Sequence, residues 1–306
     1  MISIFLLVTA CTAELPAEPG MEALETATMT SSPTPTSTAS PSPSPQPSQT
    51  ETWTPTTTAK PTSSPTPEQL ACWDEGGRIE LGEVRTNLLP LPLSYRIYLP
   101  PCYDQMEAAR YPVLYLIHGQ NFNDDQWDRL GVDESADALI AADEMPPLLI
   151  VMPRDRSWSQ PTEDKFGQVV AEQLLPHIDQ NYRTKPQSAY RAIGGLSRGA
   201  GWALHLGFSR WEEFGAIGMH SLPVFWTDLP EIRTWLDAIP YQSMPRIYMD
   251  LGDKDRPQIS KSAIWFEELL TEKNIPHEWH LYPGYHEEAY WQEHLEEYLR
   301  WYTQKW

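Results

Sequence analysis

Residues Gly195-Leu196-Ser197-Arg198-Gly199 set a serine between two glycines in the pattern G-x-S-x-G. A serine hydroxyl is a poor nucleophile at neutral pH and needs a base within hydrogen-bonding reach. The pattern alone is weak, because three fixed common residues arise by accident in roughly one chain of this length in ten. Its setting is more specific. An apolar strand is expected over Arg191–Gly195, running into the motif, and a helix over Ala200–Ser209, leaving it. A strand-to-helix turn cramps the backbone at its centre, which flanking glycines permit, and lifts the hydroxyl above the sheet. The helix N-terminus behind it favours negative charge developing on a substrate oxygen. The plainer reading is a glycine-rich turn whose serine only caps a helix.

In that arrangement the acid comes next along the chain and the histidine last. Leu251-Gly252-Asp253-Lys254-Asp255 follows one expected strand, and Pro283-Gly284-Tyr285-His286 follows another. His286 is therefore the expected base. Other histidines read more plainly: His277 and His280 flank a strand start, His294 lies on the last helix, and His177 and His205 lie inside helices. His220, ending a weak strand, is expected to line a pocket. Asp255 is the expected acid, with Asp253 the alternative acid or a carboxylate that caps the loop. An oxyanion needs two aligned backbone donors. The N–H of Arg198 is one candidate; the N–H of Gln120, in the turn His118-Gly119-Gln120, is the other. His286-Glu287-Glu288 lacks the His-x-x-x-His spacing that zinc needs on one helix, so no metal and no cofactor are expected.

These residues need a sheet to bring them together. Leu93–Leu99 alternates apolar and polar residues as a half-buried strand does, and Pro100-Pro101 ends it. Val113–Ile117 and Leu148–Met152 are continuous apolar runs, as in strands covered on both faces. Weaker strands are expected over Ala216–Met219, Arg246–Leu251 and Glu278–Tyr282, with helices over Phe166–Tyr182, Ser260–Lys273 and Ala289–Gln304. Strands separated by helices predict an α/β fold: a mostly parallel central sheet with helices on both faces. Sites in such sheets form at the carboxyl ends of the strands, where all the motifs above fall.

The first part of the chain has a different composition. Residues 26–67 are almost wholly Ser, Thr, Pro, Ala and Gln, with Trp53 the one aromatic residue. Such a stretch buries too little apolar surface to offset its ordering entropy, so a disordered tether is expected over residues 12–68. Residues 69–306 suffice for one folded domain. The net charge of −20 is concentrated there, with 36 acidic and 21 basic residues after the first 68. A surface that neutralises phosphates needs the opposite sign, so nucleic acid is not an expected partner. Residues 1–11 form a short apolar run ending Val8-Thr9-Ala10-Cys11, too short to span a bilayer but suited to a signal segment. The expectation is export, with cleavage and lipidation at Cys11 and membrane attachment only through that anchor; a plain secreted protein is the alternative. Cys72 and Cys102 remain, a pair suited to a disulfide in an oxidising compartment.

The segments Tyr95–Pro101, Tyr111–Gly119, Gly194–Gly199, Gly252–Asp255 and Gly284–His286 together resemble the α/β-hydrolase esterases that include feruloyl and acetylxylan esterases, S-formylglutathione hydrolases and mycolyltransferases. The resemblance covers nearly all of residues 90–306. It implies Asp255 as the acid of a G-x-x-D loop, and Gln120 and Arg198 as the oxyanion donors. Two features depart from the family: Gln120-Asn121 stand where a second glycine is common, and an arginine follows the serine where a hydrophobic residue is commoner. The resemblance implies a carboxylic ester hydrolase, and export points to esters on carbohydrates or the cell envelope. Trp158, Phe225, Trp226 and Trp235 are candidates to stack on sugars or aromatic acyl groups, or else fill the core. The insert Ser221–Pro245 is the expected lid or specificity wall. Acyl transfer on the same residues and a non-catalytic binding lipoprotein stay open as alternatives, and oligomeric state is not legible.

Overall fold

A computed structural model describes residues 71–306. The signal segment with Cys11, the tether, and the first two residues of the expected domain lie outside the described residues. The strands are β1 (Arg78–Val84), β2 (Leu93–Leu99), β3 (Val113–Ile117), β4 (Leu149–Pro153), β5 (Arg191–Leu196), β6 (Ala216–His220), β7 (Arg246–Gly252) and β8 (Glu278–Tyr282). They form one sheet in the order β1-β2-β4-β3-β5-β6-β7-β8. β1 and β2 are antiparallel to their neighbours, and β4, β3, β5, β6, β7 and β8 run parallel. The expected mostly parallel sheet is therefore the one observed.

The helices are α1 (Gln126–Arg129), α2 (Val132–Ala141), α3 (Phe166–Val169), α4 (Leu175–Asn181), α5 (Arg198–Ser209), α6 (Ile232–Ala238), α7 (Pro257–Glu272), α8 (Glu288–Glu293) and α9 (Leu295–Thr303). Strand residues alternate between two cores, as the two-residue period requires. Val113, Tyr115, Ile117, Ile193 and Met249 face one core, closed by α3 to α7. Leu114, Leu116, Ala192 and Tyr248 face the other, closed by α1, α2, α8 and α9. β3, β4, β5 and β6 are buried throughout, which is why β3 and β4 read as continuous apolar runs.

Two expected helices are interrupted. Between α3 and α4 the chain widens into a π turn at Val170–Leu174, just before Pro176, which has no N–H to return to the preceding turn. The last helix breaks at His294, whose φ of −101° and ψ of 3° lie off the helical values. β1, α1, α2 and α6 are additional to the expected elements. Cys72 and Cys102 are disulfide-bonded, their Cα atoms 5.0 Å apart, which ties the first described turn to the chain just after β2.

Candidate active site

β5 ends at Leu196 and α5 begins at Arg198, leaving Ser197 alone at the turn with φ 51° and ψ −124°. A non-glycine residue there is strained by about 1–3 kcal/mol and persists only where its surroundings hold it. They do so from three sides. The Ser197 N–H donates to the His220 carbonyl at 2.8 Å, and the Ser197 carbonyl accepts from the Ala200 N–H at 2.8 Å. The turn also presses on the end of β3: a Cβ at Gly199 would overlap the Ile117 carbonyl, and one at Gly195 would overlap the Gly199 backbone.

Ser197 Oγ lies 2.9 Å from His286 Nε2. His286 Nδ1 in turn lies 2.8 Å from Asp255 Oδ1. That second contact is close but bent, the ring N–H being aimed off the oxygen. Asp255 Oδ1 also accepts the Arg256 N–H at 2.6 Å, while its Oδ2 is buried without a hydrogen bond. Both side chains are shielded, His286 at 6% and Asp255 at 0% exposure, and Trp291 packs edge-on against the imidazole at 5.0 Å. Asp253 is differently placed. Its exposed Oδ1 accepts the Gly284 N–H at 3.0 Å, and its own N–H reaches the Tyr282 carbonyl at 2.7 Å. It laces the loops after β7 and β8 together, and Asp255 is the carboxylate that faces the histidine.

The turn after β3 is held by side chains rather than by a second glycine. The Gly119 N–H donates to Gln126 Oε1 at 2.8 Å, and Gln126 Nε2 donates to Glu288 at 3.0 Å. His118 Nε2 accepts the Asp155 N–H at 3.0 Å, so Nδ1 carries the proton and donates to the Gly119 carbonyl at 2.8 Å. Burial pushes the His118 imidazole below its usual value, consistent with that neutral ring. With the Gly119 N–H engaged, Gln120 and Arg198 present N–H groups that have no acceptor among the described residues.

The arginine after the serine also has a structural account. Arg198 Nε donates to Asp155 Oδ2 at 2.7 Å, and its NH2 reaches the Ser159 carbonyl at 2.7 Å. Trp202 Nε1 donates to the same carboxylate oxygen at 2.7 Å. The pair is buried, with side-chain exposures of 7% and 2%. Sequence reasoning missed Asp155; the one available signal was a lone acid between Arg154 and Arg156 immediately after a strand end.

His220 is corrected: it is fully buried beneath the turn and lines no pocket. Its Nδ1 lies 2.6 Å from Asp250 Oδ1, its Nε2 lies 3.1 Å from the Tyr302 hydroxyl, and its ring stacks on Tyr298 at 3.7 Å. Among the four aromatic candidates, Trp158 and Trp226 are 68% and 64% exposed, whereas Phe225 is buried against Trp202. Trp235 is half-buried, edge-on to His205. Among the described residues no three His, Cys, Asp or Glu side chains cluster so as to hold a metal ion.

Residues 87–302 match the family described as "Putative esterase". An endo-1,4-beta-xylanase/feruloyl esterase of Xylanibacter ruminicola is 32% identical over 179 residues, 55% of this chain and 24% of that protein. An esterase of Mycobacterium tuberculosis is 28% identical over 242 residues, 62% of this chain and 51% of that one. The chain thus spans between a quarter and about half the length of these relatives. Among solved structures, a ferulic acid esterase superposes with a TM-score of 0.67 at 23% identity, covering 75% of this chain and 98% of that one. The S-formylglutathione hydrolase of Staphylococcus aureus superposes at 0.59 and 14% identity, covering 74% and 99%. A feruloyl esterase module from Clostridium thermocellum, complexed with sinapinate, superposes at 0.63 and 15% identity, covering 77% and 92%. At these identities the likeness is one of fold, and the fold is that of the α/β-hydrolases.

Proposed function

The chain belongs to the esterase family, and from that premise we propose that it is a serine carboxylic ester hydrolase using Ser197, His286 and Asp255. The observation that carries the reading is the 2.9 Å contact between Ser197 Oγ and His286 Nε2, backed by Asp255 at 2.8 Å. Ser197 Oγ attacks the ester carbonyl while His286 Nε2 takes its proton, and Asp255 holds the imidazole with its proton on Nδ1. The N–H groups of Arg198 and Gln120 receive the oxyanion as donors that need no reorganisation. His286 then protonates the leaving alcohol, and a water activated by the same nitrogen releases the acid.

The proposed substrates are acyl esters on carbohydrate or cell-envelope material outside the cytoplasm. The relative named as a xylanase and feruloyl esterase supports the carbohydrate side, as do exposed Trp158 and Trp226, which offer flat apolar faces. The Cys72–Cys102 disulfide supports an oxidising compartment. Lipidation at Cys11 belongs to the same proposal, and its test is partitioning of the protein into detergent, which Cys11→Ser should abolish.

The activity test is hydrolysis of p-nitrophenyl acetate, p-nitrophenyl butyrate and methyl ferulate by the full chain beside Ser197→Ala. The variant should fold and lose several orders of magnitude in kcat. Equal turnover by both proteins would rule Ser197 out as the nucleophile.

A further inference from the structure

Arg154 and Arg156 leave the end of β4 on either side of Asp155 and line a cavity of about 370 Å3 that also takes in Gln120, Trp158 and Arg198. Three arginines and one aspartate stand on its wall. Arg198 and Asp155 offset each other through their 2.7 Å ion pair, so neither is free to meet a ligand's charge. The other two guanidiniums are far less neutralised. Arg156, exposed, donates to the uncharged Ser94 hydroxyl at 2.8 Å and has no carboxylate at ion-pair distance among the described residues. Arg154 meets Asp124 at 3.9 Å, and that carboxylate is shared at 3.9 Å with Arg96. Two cationic groups thus border a partly enclosed cavity in a chain whose net charge is −20. The cavity reaches Gln120 and Arg198, the two residues whose N–H groups flank the proposed nucleophile.

We infer that Arg154 and Arg156 form a subsite for a carboxylate carried by the ester substrate, an inference that rests on the serine hydrolase reading above. A guanidinium presents parallel N–H donors that match a carboxylate's two oxygens. The overall negative charge opposes anions only at long range, where salt screens it beyond about 8 Å. A contact pair at a partly enclosed wall is screened much less. The carboxylate has two chemical sources. It is either the far end of the acyl group, as in a hemiester of a dicarboxylic acid, or part of the alcohol, as in a uronic acid.

The test pairs esters that differ in that charge and uses the full chain. Ethyl hydrogen succinate is compared with ethyl butyrate, followed by ethanol release. O-acetylated methyl glucuronide is compared with O-acetylated methyl glucoside, followed by acetate release. One pair should show kcat/KM at least about tenfold higher for its anionic member, and that pair identifies the source. Arg154→Gln combined with Arg156→Gln should bring the ratio towards one, and added salt should lower it in the parent protein. A ratio at or below one in both pairs, or one that the double variant leaves unchanged, overturns the subsite. Binding of the same anionic esters to Ser197→Ala, read by calorimetry, separates the two ideas. If no ester is turned over yet Ser197→Ala binds the anionic ones through Arg154 and Arg156, the subsite stands and the hydrolase reading falls. If all four esters are turned over without charge preference, the hydrolase reading stands and the subsite falls.

Discussion

Arg198→Met should cost about 3 kcal/mol of folding stability, and the reason lies in what it leaves behind. Methionine is unbranched and flexible enough to refill much of the space beside Phe225, whose ring centre lies 5.1 Å from the guanidinium carbon, so the cavity left is small. The charge on Asp155, 2% exposed, loses its cationic partner. Breaking one side of a buried ion pair costs about 3–5 kcal/mol, because the remaining charge stays desolvated. Asp155 keeps the Trp202 indole N–H at 2.7 Å and the Ser157 N–H at 2.9 Å, which puts the cost at the lower end of that range. Asp155→Asn added to Arg198→Met removes the stranded charge, so the double variant should be more stable than the sum of single losses implies, by about 2 kcal/mol. Urea unfolding of the four proteins measures this: with m about 3 kcal/mol/M, the Arg198→Met midpoint should fall by about 1 M. A midpoint within about 0.3 M of the parent, or strict additivity in the cycle, would refute the idea that this pair braces the loop after β4.

Three further expectations follow from the same geometry. Asp255→Asn should lower kcat by about four orders of magnitude, whereas Asp253→Asn, whose amide oxygen can still accept the exposed Gly284 N–H, should stay within about fivefold; the opposite ranking moves the acid role to Asp253. Ser197→Gly should be inactive yet melt above Ser197→Ala, by about 2–4 °C for about 1 kcal/mol of relieved backbone strain at φ 51°; equal melting temperatures would mean the turn is not strained. Burial first, then a hydrogen bond from Glu134, raises the Asp133 carboxyl from 3.8 to about 7. A raised folded value gives stability that is whole below the unfolded value and lost as pH rises through the folded one. Asp133→Asn should therefore gain on the parent in melting temperature between about pH 5 and pH 8, and a constant difference across that range would contradict the shift.

Legibility in the sequence followed burial. β2, β3 and β8 have the expected limits, because alternation or an unbroken apolar run marked each end. β1 lacks a clear pattern since its Arg78–Val84 run mixes charges with apolar residues and, at the sheet edge, buries only Val84 fully. α6, with Ile232 and Leu236 buried in it, lies in an insert whose apolar residues are broken up by four prolines, so no helical period stood out over so short a stretch. Ser197, Asp255 and His286 stood out because each ends a strand in a fixed chain order, and the structure gathers all three. The Arg198–Asp155 pair spans 43 positions and follows no local pattern, so only the folded chain reveals it. A histidine at a strand end looks the same in sequence whether it meets substrate or core. For His220 the deciding partner is Asp250, 30 residues further on.

That buried histidine explains how a strained serine is kept in register with a base from a distant loop. The His220 carbonyl holds the Ser197 N–H, while its ring is fixed through Asp250, whose other oxygen accepts Tyr290 at 2.6 Å and Tyr298 at 2.8 Å. The Asp250 carbonyl takes the Ser221 N–H at 2.9 Å, and the Ser221 hydroxyl accepts the Trp291 indole N–H at 3.3 Å. Trp291 is the side chain packed edge-on against His286. One chain of buried contacts thus runs from beneath the proposed nucleophile to behind the proposed base. A purely apolar core at these positions would fill the same space at no desolvation cost. It would not have the directional bonds that restrict each group to one orientation. A proton transfer across 2.9 Å tolerates little drift, so the polar core supplies what packing alone does not: a fixed distance between Ser197 and His286.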